Sequence, residues 1–380
     1  MDFDLTDTQT KRYDDILGTV TSRFSRRTPD SPFSRDDWAA AADLGLTGLC
    51  LPAEHGGSGL GALDTALCLE AFGRGCADTG LVFGVAAHLL ACAVPVRDFA
   101  GAEVRDELLS GLAGGTILAA NAMTEDEAGS DVGRLSATAT ADGDHYVIDG
   151  VKSFASNAPM ADLFVTYAVT DPASGFLGVS AFAVPRDLPG VSVQGPFRKM
   201  GLHGCAAGRV TFSRVRVPAA YLLGYEGQGS AIFQHSMGWE RACLFGLYLG
   251  VMQNQLERCV EHARGRKQFG QSIGRFQAIS HRLASMKQRL ESARLLLYRA
   301  CWLLDQEERG REHVLAAALS KTAVSEAAVA NALDAVQIFG GSGYLVETGI
   351  EQQLRDAVPG AIFSGTTEIQ KEVIAREVGL

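Results

Sequence analysis

The chain has 380 residues, 47% of them hydrophobic and 21% charged, with a formal net charge of −10. That length exceeds one ordinary core and predicts two or three domains, and a composition without long polar or Pro-rich tracts excludes a disordered chain. The acidic balance argues against a nucleic-acid partner, whose phosphates need basic surface.

The eight cysteines show no CxxC or zinc-ribbon spacing and read as small core residues. The eight histidines are dispersed with no HxxxH pair, so no metal site is expected. The first residues carry neither a basic nor an apolar leader region. The longest apolar run, Leu81 to Val96, is broken by His88 and Pro95 and is shorter than a bilayer span. A soluble cytoplasmic protein is the expectation.

In chain order, residues 1–118 read as a helical domain: Asp36 and Asp37 precede an Ala-rich run from Trp38 to Leu44, and Asp64 to Arg74 is apolar at helical spacing. Within it, Gly57–Ala62 fits the loose dinucleotide fingerprint GxGxxA. That pattern has meaning only between a strand and a helix of a βαβ unit; helical surroundings make it a loop. Residues 119–228 alternate instead, around Tyr146–Gly150, Leu163–Val169, Val179–Val184 and Val210–Val217, with turns at Asp142–Gly143, Asp187–Gly190 and Gly201–Gly204. An antiparallel, barrel-like β domain is expected. Residues 229–380 return to the helical period, with segments over Ala231–Gly265, Phe276–Glu308 and Glu312–Phe339. The fold class is α+β: a helical domain, a β domain and a C-terminal four-helix bundle.

Asn121–Asp131 (NAMTEDEAGSD) opens the β domain as a polar, Gly-containing stretch whose hydroxyls and N–H groups suit a flavin edge or a phosphate; by itself it reads equally as an ordinary turn. Four more segments change its weight: Gly150–Asn157 (GVKSFASN), Arg266–Gly270 (RKQFG), Gln337–Gly343 (QIFGGSG) and Phe363–Glu368 (FSGTTE). In this order, with Leu51–Gly57 (LPAEHGG) and Leu354–Asp356 (LRD), the chain resembles the flavoprotein acyl-CoA dehydrogenases along its whole length.

The resemblance implies FAD. It places Met123 and Thr124 against the flavin ring, Thr124 near its reactive edge, with Phe154 and Ser156 covering the other side. Ser130 falls near the pantetheine arm of the thioester or the cofactor diphosphate. Arg266, Phe269, Gln337, Gly341, Thr366 and Glu368 would hold the adenosine diphosphate, partly across a subunit interface of a homotetramer.

Dehydrogenation requires a carboxylate to take the α-proton and hydrogen bonds for the developing enolate oxygen. Much of the family carries its base two residues before the Thr of the C-terminal motif; here that position is Ser364. A replacement stands in Met237–Ala242 (MGWERA). On a helix Glu240 shares an apolar face with Cys243, Leu244 and Leu247, and a carboxylate on such a face is either used or paired. Branched-chain members of the family place their base here, beside an Arg, so the resemblance assigns catalysis to Glu240. The backbone N–H of Ser364 would still serve the enolate oxygen. Trp239, Arg241 and Phe363 are expected at the substrate pocket. Asp126 stands where the family usually has Pro.

Ser236–Phe245, Lys152–Pro159 and Ile362–Thr366 look most like the members that oxidise proline tethered to a peptidyl carrier protein in pyrrole and antibiotic biosynthesis. The implied partners are that carrier, bearing its phosphopantetheine thioester, and an electron acceptor, either an electron-transfer flavoprotein or dioxygen. Alternatives are a branched short-chain acyl-CoA dehydrogenase, a non-catalytic flavin-binding protein and an oxidase or monooxygenase.

Overall fold

The structure, a computed structural model, describes residues 4–28, 30–306 and 312–380. Helix α1 (Asp7–Arg23) begins at a reciprocal cap between Thr6 and Gln9, and α2 (Arg35–Asp43) at Ser34, whose hydroxyl accepts from the Asp37 N–H. Helix α3 (Ala62–Gly75) has no side-chain cap of its own. Its first N–H groups, on Ala62 and Leu63, donate instead to the Asp305 carboxylate at 2.5 and 3.0 Å. The glycine fingerprint is therefore an interhelical connector, and the helix end a phosphate would need is taken by a carboxylate.

Helix α4 (Thr79–Ala87) passes through a π-turn at His88–Ala93 into α5 (Val94–Phe99), with Pro95 in the first turn where a helix tolerates it. This apolar run is longer than expected. Thr79–Phe99 is, among the described residues, the one helix long and apolar enough to cross a membrane, yet 94% of its most apolar window is buried inside the protein. Helix α6 (Ala102–Ala113) follows.

The middle region is one eight-stranded sheet. Its strands are β1 (Ala119–Ala122), β2 (Thr138–Asp142), β3 (His145–Ser156), β4 (Leu163–Val169), β5 (Val179–Pro185), β6 (Val191–Gln194), β7 (Ala207–Pro218) and β8 (Leu222–Leu223). The order is β6-β7-β3-β2-β4-β5-β8, with β1 beside β4. Most pairings are antiparallel, as expected, but β1 and β2 each run parallel to β4. Alternation along one strand reports its faces and not its neighbour's direction, so those parallel contacts were illegible. The β3–β7 register shifts between Lys152 and Ala155, and this irregularity sets Phe154 at φ 58°.

The C-terminal region contains α7 (Gly229–Trp239), a π-turn at Glu240–Leu244, α8 (Gly246–Gly265), a hairpin of β9 (Lys267–Gln268) and β10 (Gln271–Ser272), α9 (Gln277–Leu304), α10 (Glu312–Phe339), α11 (Ile350–Ala357) and α12 (Thr367–Glu377). The segment expected as one helix over Ala231–Gly265 is thus two, because the π-turn keeps the apolar period while breaking the ladder. Of the segment expected to reach Glu308, the helix ends at Leu304, and residues 307 and 308 lie outside the described ones. Helices α3 and α8 meet backbone to backbone: a Cβ on Gly250 would stand 2.0 Å from the Glu70 carbonyl oxygen, and one on Gly73 2.2 Å from that of Leu247. This close seam locks the N-terminal helices onto the helix that follows Glu240.

Candidate active site

The three regions enclose a cavity of about 710 Å³. The β domain contributes Asn121, Met123–Asp126, Ser153, Phe154, Ser156 and Asn157, the N-terminal helices Phe83, Ala87 and Ala91, and the C-terminal region Met237, Glu240, Arg241 and residues 362–366.

On the β-domain wall two loops are tied together by backbone: the Ser153 N–H donates to the Thr124 carbonyl at 2.8 Å. Beneath them lies a buried ion pair. Lys152 Nζ donates to Glu125 Oε1 at 2.8 Å and to the Met123 carbonyl at 3.2 Å. The Glu125 carboxylate also accepts from the Ser136 N–H and hydroxyl at 2.7 and 2.5 Å and from the Ala137 N–H at 3.0 Å. Although burial opposes it, these donors hold the Glu125 carboxyl below its ordinary value. Asp126, in place of the family's Pro, pairs with Arg209 at 2.7 Å. Asn121 Oδ1 and Ser153 Oγ are buried at this wall without a partner among the described residues.

The opposite wall is built on the second π-turn. Glu240 sits in it with only 7% of its surface exposed, and Cys243, Leu244 and Leu247 of the same face are fully buried. π-turns occur mostly as single interruptions of helices, often at functional positions. Across from the turn, the loop before α12 places Ser364 at φ 57°, a left-handed conformation that a non-glycine residue holds only when its surroundings fix it. Here the fixing groups are visible: Arg241 Nε and Gln370 Nε2 donate to the Ser364 carbonyl at 3.0 and 3.3 Å. So held, the Ser364 hydroxyl donates a short hydrogen bond to the Glu240 carboxylate. Burial raises the Glu240 carboxyl above its ordinary value, opposed by the Ser364 hydroxyl and the charges of Arg241 and Lys321.

Phe363 closes the floor against Phe83, Phe245 and Tyr248, with ring centroids 4.6, 5.4 and 6.4 Å away. Thr366 caps α12 through the Ile369 N–H at 3.3 Å.

Of the residues singled out in the sequence, Met123, Thr124, Ser130, Phe154, Ser156, Glu240, Arg241, Phe363, Ser364 and Thr366 line this one cavity. Trp239 does not line it; its ring is buried, with the Arg97 guanidinium 4.7 Å from the ring centroid. Arg266, Phe269, Gln337, Gly341 and Glu368 lie outside the cavity as well. Phe269 caps the β9–β10 hairpin with 93% of its surface exposed. The sequence reading missed Asn121, Ser153 and the Phe83–Ala91 helix face. Asn121 and Ser153 lay inside segments already flagged, whereas the helix face had only apolar residues and no chemical signal.

A helical–β–helical chain whose domains share one cavity with a buried carboxylate defines a class, and the family models match it domain by domain. The N-terminal domain of acyl-CoA dehydrogenases matches residues 20–116, the middle domain 120–215 and the C-terminal domain 227–379. The chain belongs to the acyl-CoA dehydrogenase family. Within it, the chain is 52% identical over the full length of both chains to an L-prolyl-[peptidyl-carrier protein] dehydrogenase of Pseudomonas fluorescens. To the protein of the same description from a Serratia species it is 43% identical, over 100% of this chain and 99% of the other. The structure of PigA with FAD and proline superposes with a TM-score of 0.94 at 42% identity, each chain covered in full.

Proposed function

We propose that this protein is an FAD-dependent dehydrogenase that oxidises proline carried as a thioester on a peptidyl carrier protein, towards the pyrrole-2-carboxyl group. The observation that carries the reading is Glu240, a buried carboxylate facing the cavity with a hydroxyl as its hydrogen-bond donor. The relatives named above give the substrate class.

The residues present fit the cofactor. Asn121 Oδ1 and Ser153 Oγ are buried acceptor and donor atoms without partners among the described residues, beside a cavity that Thr124 and Ser156 also line. Met123, Thr124, Phe154 and Ser156 would hold the flavin ring and Ser130 the diphosphate or the pantetheine arm. Thr366, at a helix N-terminus, suits a phosphate. Arg266, Phe269, Gln337, Gly341 and Glu368 would meet the adenosine end of the cofactor in a neighbouring copy of a homotetramer. Bound FAD supplies the acceptor for the β-hydrogen and its electron pair.

The chain's own part is proton chemistry. Glu240 accepts the proton from the prolyl α-carbon, and the C–H electron pair passes into the thioester as an enolate. The raised carboxyl makes Glu240 a stronger base than an exposed glutamate. Its hydrogen bond from Ser364 aims it. The backbone N–H of Ser364 serves the enolate oxygen, and Arg241 fixes that backbone through the carbonyl. Phe363 and Phe83 exclude water from the acyl group.

The test is anaerobic flavin bleaching by prolyl-loaded carrier protein and, separately, by short acyl-CoAs. Bleaching by the prolyl carrier alone supports the reading. Bleaching by isobutyryl- or isovaleryl-CoA instead keeps the chemistry and discards the prolyl substrate. Bleaching by neither, in a protein that retains FAD, refutes both.

A further inference from the structure

Behind the π-turn, outside the cavity, lies a titratable group that the proposed chemistry leaves unused. Lys321, in the middle of α10, is fully buried, and its ammonium has no hydrogen-bond partner among the described residues. Its nitrogen stands 5.7 Å from the centroid of the Phe245 ring, the residue that ends the π-turn. On the same helix Ala317, Ala318, Val324 and Ala328 are buried. Packing alone would be met by a methionine, without the desolvation of a charge.

We propose that Lys321 is a positioning residue for the base: its ammonium, sealed behind Phe245, is the counter-charge that keeps Glu240 ionised and ready to accept a proton. This inference rests on Glu240 being the base.

The charged groups around the pair are few. Glu240 is faced by Arg241 from its own turn, Ser364 from the loop before α12, Lys321 from α10, Cys92 from the first π-turn and Tyr167 from β4. The Cys92 thiol and the Tyr167 hydroxyl are themselves pushed up by burial and by the Glu240 charge, so neither is an anion. Lys321 is faced by Arg241, Glu240, Glu326 and Glu368. Glu326 is engaged at the surface by Lys371 at 3.4 Å, and Glu368 is exposed. Arg241 directs its guanidinium to the Ser364 carbonyl, whereas the Lys321 ammonium has no hydrogen bond that fixes it.

Burial and the Arg241 charge pull Lys321 down to about 8, which still leaves it protonated at neutral pH. Glu240, Arg241 and Lys321 then carry one excess positive charge. When Glu240 takes the substrate proton, the excess rises to two while the enolate gains one negative charge. The two cations thus face an anion in both states, first the carboxylate and then the enolate.

The experiment is the pH dependence of anaerobic flavin bleaching by prolyl-loaded carrier protein in K321M, K321R, K321Q and E240Q. Removing the cation raises the Glu240 carboxyl, so the acid limb of K321M moves to higher pH by about half a unit or more. The resulting deficit of roughly threefold or more below the limb shrinks as pH rises. K321R keeps the wild-type limb.

If K321M fails to fold, the infrared carboxyl band of Glu240, identified by its loss in E240Q, is titrated in K321Q and K321R. A higher midpoint in K321Q alone supports the proposal. A K321M rate lowered equally at every pH, or equal midpoints in K321Q and K321R, overturns it and leaves Lys321 as packing. Full turnover by E240Q would instead discard the base assignment itself. A dead E240Q with an unmoved limb in K321M removes only the role of the lysine.

Discussion

Two buried glutamates line one cavity, and their surroundings give them opposite characters. Glu125, under the β-domain loops, accepts four hydrogen bonds, one of them from a fully buried lysine. Glu240, in the π-turn, receives one from a serine hydroxyl, while its lysine stands off without a hydrogen bond. The first carboxyl is pulled below its ordinary value and the second is pushed above it. Burial raises both, and the donors that outweigh it at Glu125 are fewer at Glu240.

The sharpest way to break this contrast is to neutralise each carboxylate in turn. E240Q should lower the rate of flavin bleaching by prolyl-loaded carrier protein about a thousandfold, with FAD retained in the absorption spectrum. E125Q should act on stability instead: disrupting a buried ion pair costs about 3–5 kcal/mol, read as an earlier unfolding midpoint in urea and weaker FAD retention. If E125Q unfolds like wild type, the satisfied pair is not the scaffold described.

The pH dependence of stability should separate the two with opposite signs. A carboxyl raised in the folded state binds its proton more tightly there, so its stabilisation is present at acid pH and is lost as pH rises through the folded value. A carboxyl lowered in the folded state contributes above the unfolded value and is lost as pH falls through the folded one. E240Q should therefore melt at a higher temperature than wild type at pH 8, and E125Q at a lower one, with both differences shrinking below pH 4. Matching shifts of the same sign in calorimetry would refute the distinction.

S364A removes the hydrogen bond to Glu240 and should move the acid limb of the bleaching rate upward by about one unit, leaving the high-pH plateau within a few-fold of wild type. The smallest effect belongs to the exposed pair that replaces the family's proline: R209A should change stability by less than about 1 kcal/mol and leave bleaching unchanged.

Much of this arrangement was readable from the sequence. The change from helical to alternating period and back located the three regions, and the end of α10 at Phe339 follows from periodicity alone. Glu240 was found because a carboxylate interrupts an apolar face. Three features resisted, each for a physical reason. The π-turn at Glu240–Leu244 leaves the apolar residues on the buried side, so nothing in the pattern announces it. The Ser364 side chain read as a lost base, since its bond to Glu240 spans 124 residues and depends on a left-handed backbone. Lys321 stands between Ser320 and Thr322 with no pattern that marks it; only packing shows that it is buried. Trp239, expected at the pocket, neighbours Glu240 in sequence but faces Arg97, because successive residues on a helix point about 100° apart.

The π-turn also carries a consequence for the chain's tolerance of length. A π-turn holds one residue more than an α-turn, so the extra residue is absorbed within one turn and α8 leaves it in nearly the rotational register of α7. Deleting one residue between 241 and 245 would convert it to an ordinary α-turn with little rotation of Glu240 relative to α8, which the Gly73–Gly250 seam anchors. Deleting one residue from the regular first turn of α8, ahead of Gly250, would instead rotate Glu240 about 100° relative to that seam and swing the carboxylate off the cavity.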